Sequence, residues 1–207
     1  MERLRKTLRR FPFTIAMIVI VAGIGLATAT HLGDLELGLR TRFGFAPLHL
    51  PRGEVFRLFT SAFLTLGGAV FYRSLTMLAL CLALAEMRVG TWRTILAFWG
   101  VHVVTLLTVS LILALPVGLF DAVRTKLLLA EHDVGPSAGY YGCLGLACQR
   151  WPTKYRGWLY AIIGLALVAR LVWGILAVGS LSSPLGADIA HLVAFGLGIA
   201  VGRFVLK

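Results

Sequence analysis

The sequence predicts an all-α, polytopic membrane protein: six transmembrane helices in one bundle, the fourth short and buried. Three observations predict it. The 207 residues are 58% hydrophobic and 14% charged, with a mean hydropathy of +0.87, whereas soluble domains average about 45–50% apolar and about 25% charged. Six apolar stretches, most near the roughly 20 residues that a span requires, alternate with polar segments. The formal charge of +11 is unevenly shared between the two sides of those stretches. Such a charge on a soluble chain would suggest nucleic acid; here the distribution fits basic loops kept on the cytoplasmic side instead. The lipid bilayer, not nucleic acid, is the expected surroundings.

The elements follow in order. Residues 1–11 form a basic N-terminus, and the apolar run that follows is too long for a signal-peptide core, so span 1 is a retained helix over 12–30. Residues 31–67 mix Leu, Phe and Pro with polar residues, which predicts a structured outer loop that dips toward the membrane. Span 2 covers 68–86, and span 3 covers 94–116, where Pro116 should stop it. The loop over 117–134 leads into span 4 at 135–149; span 5 covers 157–178 and span 6 covers 187–206. The whole chain, 1–207, reads as a single domain.

With six spans, twelve Lys and Arg fall on the side of both termini and six on the other, while Arg73 and Arg170 fall within spans. That bias predicts both termini in the cytoplasm and the plasma (inner) membrane as the location. Cys81, Cys143 and Cys148 lie in apolar segments without ligand spacing and read as small packing residues. His102 and His191 lack any paired-ligand motif, so neither metal nor cofactor is expected.

The short fourth span carries the functional signal, "GPSAG" at 135–139. Ser137 stands 13 residues before Arg150, roughly 20 Å along a helix rising about 1.5 Å per residue. It is thus submerged below the outer surface, at the start of its helix. Irregular backbone at such depth must be buried in protein or line a water-filled cavity. His191 stands 12 residues before Arg203, roughly 18 Å along span 6, and so shares the depth of Ser137. An intramembrane ionisable residue is by default a functional-site candidate. Span 6 carries Ala194, Gly198 and Gly202 on nearly one face, and span 4 carries Gly139, Gly142 and Gly145. Small-residue faces let helices approach closely in membranes, which would bring His191 within reach of Ser137.

These residues resemble the rhomboid family of intramembrane serine proteases. "GPSAG" is similar to the family's Gly-x-Ser-x-Gly on its fourth helix, and "DIAHLVAFGLG" (188–198) to its Ala-His pattern on the sixth. "GEVFRLFTSAFLT" (53–65) resembles a loop that normally reads Gly-x-x-Trp-Arg; Phe56 replaces the tryptophan and Arg57 is kept. "LAEMRVGTWRTILAF" (84–98) resembles the Glu-x-x-x-Gly-x-x-Arg run that closes the second helix. Tyr141 matches an aromatic that packs on the histidine. The resemblance covers about residues 10–207. It implies Ser137 as nucleophile and His191 as base, with no acidic third member. It implies single-span transmembrane proteins as substrates. The family's His-x-x-x-Asn on helix 2 aligns with Tyr72 and Thr76, whose spacing of four puts both on one helix face.

A serine hydroxyl needs an adjacent base to attack at neutral pH, and a tetrahedral intermediate needs donors aimed at its oxygen. Amides at the start of helix 4, around Gly135 and Pro136, and the hydroxyls of Tyr72 and Thr76 are the oxyanion and cavity candidates. Asp188 is read as the N-cap of helix 6 rather than a triad acid. His132 and Asp133 are expected at the cavity mouth, and Glu86 beside Arg88 or Arg93 as an anchor at the cytoplasmic boundary. The alternative function is a catalytically weak or inactive rhomboid-like protein that binds or escorts transmembrane clients, motivated by the replaced helix-2 pair. A transporter lacks broken-helix pairs in matching halves.

Overall fold

The computed structural model describes residues 10–120, 132–178 and 184–205. The chain is helical: α1 (Pro12–Ala27), α2 (Leu37–Phe43), α3 (Arg57–Thr60), α4 (Ala69–Val89), α5 (Thr91–Phe120), α6 (Ser137–Cys148), α7 (Thr153–Val178) and α8 (Pro184–Val205). Four of these, α4, α5, α7 and α8, are long and apolar enough to cross a membrane; α1 is a shorter apolar helix. With α6 they make, among the described residues, the six longer helices of an all-α membrane bundle.

The short helix α6 is the hub. Its 12 residues rise only about 18 Å, less than the roughly 30 Å of a hydrocarbon core. Nine of those residues are buried because α8, α5 and α4 all pack on it. Glycine makes the closest approach possible. A Cβ on Gly198 would lie 2.0 Å from the carbonyl oxygen of Gly142, and one on Gly145 would lie 2.4 Å from that of Phe195. A Cβ on Gly202 would meet Gln149, and Ala194 is fully buried. Gly139 and Gly142 turn the missing side chain elsewhere: their Cβ positions would strike Phe98 and Val101 of α5. The two glycines that sequence spacing assigned to the α8 contact therefore also seat α5.

Helix α1 is held by a residue far away in sequence. Its first residue is Pro12, which has no amide to satisfy, and Phe11 gives no side-chain cap. Glu86 of α4 fills the gap, accepting from the amides of Phe13 (3.2 Å) and Thr14 (2.8 Å) and from the Thr14 hydroxyl (2.6 Å). A carboxylate suits the positive end of a helix. Glu86 is thus an anchor, but of α1 rather than of Arg88 or Arg93; Arg88 lies over the Trp151 ring at 4.7 Å.

Loop 31–67 is structured, as its composition implies. Arg57 ties it together, bonding Glu54 and the carbonyls of Thr41 (2.5 Å) and Gly44 (3.2 Å). His102 of α5 holds its Nε2 2.9 Å from the Leu58 carbonyl, fixing the loop to the bundle. Phe45 pairs with Asp133 through two backbone bonds of 3.0 and 2.7 Å, so the loop also grips the segment that leads into α6. Helix α5 continues past Pro116 to Phe120. A proline removes only one ladder bond, which membrane helices tolerate. Most of the loop expected over 117–134, residues 121–131, lies outside the described residues.

Candidate functional site

Ser137 is the first residue of α6. Two features of its approach fix it there. Gly135 has φ +140°, a conformation that side chains disfavour, and its amide donates to the Ser61 carbonyl at 2.9 Å. Pro136 is fully buried and cannot donate, so the helix ladder starts with Tyr140 N–H to Pro136 O at 3.0 Å. The amides of Ser137, Ala138 and Gly139 precede that first bond and belong to the free-donor end of the helix.

Ser137 and His191 line the same cavity, of about 350 Å³, together with Gly135, Tyr140 and Tyr141. Among the described residues no hydrogen bond joins the two. His191 is buried, and the Tyr141 ring lies against it with centroids 4.6 Å apart and planes tilted by 40°. Its Nδ1 is buried without a hydrogen-bond partner among the described residues. The oxygen facing that nitrogen is Oδ1 of Asp188, at 3.8 Å. The same oxygen accepts from Nε of Arg170 at 2.6 Å. Asp188 is 3% exposed, so this is a shielded carboxylate shared between a guanidinium and an imidazole. Helix α8 begins at Pro184, which puts Asp188 in its second turn: it pairs with Arg170 and is not the N-cap.

The helix-2 pair requires a correction. Tyr72 is 56% exposed and donates its hydroxyl to the His31 carbonyl at 3.0 Å. Thr76, also exposed, bonds back to the Tyr72 carbonyl at 2.9 Å. Neither lines the cavity. Helix α4 instead presents Val70, Arg73, Ser74 and Met77 to it. A one-residue change of register turns a helix by about 100°, and that is enough to exchange these faces. Sequence reasoning missed Arg73 and Ser74; an arginine inside a span was the available signal.

The mouth is charged. Arg40 donates from Nε to the His132 carbonyl at 2.9 Å, and the His132 ring lies 5.0 Å from that of His49. His132 and Asp133 both line the cavity, as their place in the sequence suggested. His49 is buried and its Nδ1 accepts the Ala46 amide at 2.9 Å. Burial, and then the charge of Arg57, hold its pKa below the usual 6.5. Cys81, Cys143 and Cys148 are free thiols, all buried.

The family model described as Rhomboid domain matches residues 52–207. No curated protein and no solved structure matches the chain.

Proposed function

The chain belongs to the rhomboid family, and from that premise we propose that it is an intramembrane serine endopeptidase that cuts single-span membrane proteins. One observation carries the reading: a serine at the first turn of a short, enclosed helix shares a cavity with a buried histidine from α8. In this account Ser137 Oγ attacks the scissile carbonyl carbon while His191 takes the hydroxyl proton. The C–N bond then breaks and His191 passes the proton to the leaving amine. Water, activated by the same base, releases the acyl group. The amides at the start of α6 and the Ser74 hydroxyl receive the oxyanion; losing one such donor costs about 2.7–4 kcal/mol of barrier.

To accept a proton at Nε2, His191 must carry its other proton on Nδ1. Asp188 Oδ1, 3.8 Å away, is the acceptor for it, a contact that tightens as the imidazolium forms. Tyr141 holds the ring by packing its tilted face against it. The basic bias of twelve to six supports termini in the cytoplasm and a cavity open to the outer side.

A second reading, a rhomboid-like protein that holds transmembrane clients without cutting them, is favoured by one fact: no hydrogen bond joins Ser137 to His191 among the described residues. Reconstitution decides between them. Purified protein in liposomes is mixed with a panel of single-span reporter proteins. Cleavage that disappears in Ser137→Ala and in His191→Ala is the expected result; client binding with no Ser137-dependent cut favours the second reading.

A further inference from the structure

Arg73 is a charged residue of the cavity that the proposed chemistry leaves unused. It lines the cavity from the outer part of α4, beside Ser74. It shares that cavity with Tyr140, Tyr141 and His191. Among the described residues it forms no ion pair and no hydrogen bond, whereas Arg170 is paired with Asp188 and Arg40 is bonded to His132. The described lining holds three arginines against one acid, Asp133. With Arg170 paired to Asp188 a net positive lining remains, and low-dielectric walls concentrate its field on an entering anion.

An unpaired guanidinium within a span is costly unless water or an anion attends it. Its planar donors match a carboxylate in bidentate fashion. The entry side also fits. Helix α7 packs mainly on α8, with a small contact on α6, while α4 packs on α6, α1 and α5. Only 6% of the membrane window of α7 is buried. Arg73 therefore stands where a polypeptide coming between α4 and α7 would first meet the cavity. Resting on the protease reading above, we infer that Arg73 is a specificity-determining residue that receives the carboxylate of an Asp or Glu in the substrate segment. The apolar walls at Leu66, Val70, Met77 and Leu106 take the flanking aliphatic chains of the same segment.

The test measures binding, so it does not depend on turnover. Full-length Ser137→Ala protein in phosphatidylcholine vesicles is titrated with dye-labelled single-span peptides that carry Asp, or Asn as its isostere, at successive positions of the outer third. At one position the Asp peptide should bind about tenfold more tightly, the size of a single charge-assisted contact. Arg73→Gln should erase that preference, weakening the Asp peptide much more than the Asn peptide, with an unchanged unfolding curve reporting an intact fold; Arg73→Lys should retain part of it. Equal binding of the two peptides at every position, or a preference that survives Arg73→Gln, overturns the inference. So does an Asp preference lost in phosphatidylglycerol vesicles because the lipid occupies the site of Arg73. Failure of the protease reading is recorded separately, as absence of Ser137-dependent cleavage by the wild-type protein.

Discussion

Replacing Glu86 with alanine should destabilise the bundle by about 3–5 kcal/mol, the range for removing one partner of a buried charged contact. The magnitude follows from what the carboxylate holds. It accepts three hydrogen bonds, from Phe13 N, Thr14 N and Thr14 Oγ1, at 3.2, 2.8 and 2.6 Å. Glu86 and Thr14 are 5% and 4% exposed and Phe13 is 9% exposed, so water cannot readily replace it. Hydrogen bonds to a charged group contribute about 1.5–3 kcal/mol each, and the helix-end charge adds about 0.3–1. Relief of the cost of burying the carboxylate offsets part of that sum. Glu86→Gln keeps one acceptor and should lose about half as much. The assay is equilibrium unfolding in mixed micelles, with Thr14→Val as a second probe of the same contact. A loss below about 1 kcal/mol for Glu86→Ala, no more than one neutral hydrogen bond, would refute the capping argument.

Other expectations concern the site and its supports. Gly198→Ala places a methyl 2.0 Å from the Gly142 carbonyl; it should separate α8 from α6, cost about 1–3 kcal/mol of packing, and lower serine-probe reactivity more than Gly196→Ala, where the added Cβ meets nothing. Tyr72→Phe with Thr76→Val should change cleavage by no more than about twofold, since both residues are exposed and off the cavity; loss of activity with an intact fold would restore them to the site. His49 titrates below 6.5 in the folded chain because of burial and Arg57, with His132 and Arg52 adding to that and Glu54 opposing it. The unfolded chain therefore binds the extra proton first, and the stabilisation present above pH 6.5 is lost as pH falls through the lowered value. Hydrogen exchange in loop 44–60 should accelerate over that acid range, and a His49→Phe variant should lose the dependence; a flat profile in the native protein would contradict it.

Much of the site was legible because the signals are local. Gly135, Pro136 and Ser137 read as a submerged helix start, and α6 does begin at Ser137. Counts of 13 and 12 residues to flanking arginines set Ser137 and His191 at nearly one depth, and both line one cavity. What could not be read depends on partners distant in sequence or on helix phase. Glu86 meets a helix 72 residues upstream, and Asp188 meets Arg170 on another helix. Local spacing instead suggested a boundary anchor for one and a cap for the other. The phase of α4 is set by Gly67 and Gly68, at φ +96° and +55°. A Cβ on Gly67 would lie 2.1 Å from the Gly33 carbonyl, and Gly68 N–H donates to Thr30 O at 2.9 Å. That contact with the turn after α1 fixes which residues of α4 face inward. An i, i+4 spacing identifies a shared face without saying which way the face points.

The most direct measurement of the central claim is labelling of Ser137 by a fluorophosphonate in native membranes, followed by peptide mapping. A Ser137 nucleophile with a His191 base gives one labelled residue, Ser137, with labelling abolished in Ser137→Ala and strongly reduced in His191→Ala. Absence of labelling in protein whose unfolding curve shows an intact bundle, or undiminished labelling of Ser137 in His191→Ala, would contradict it.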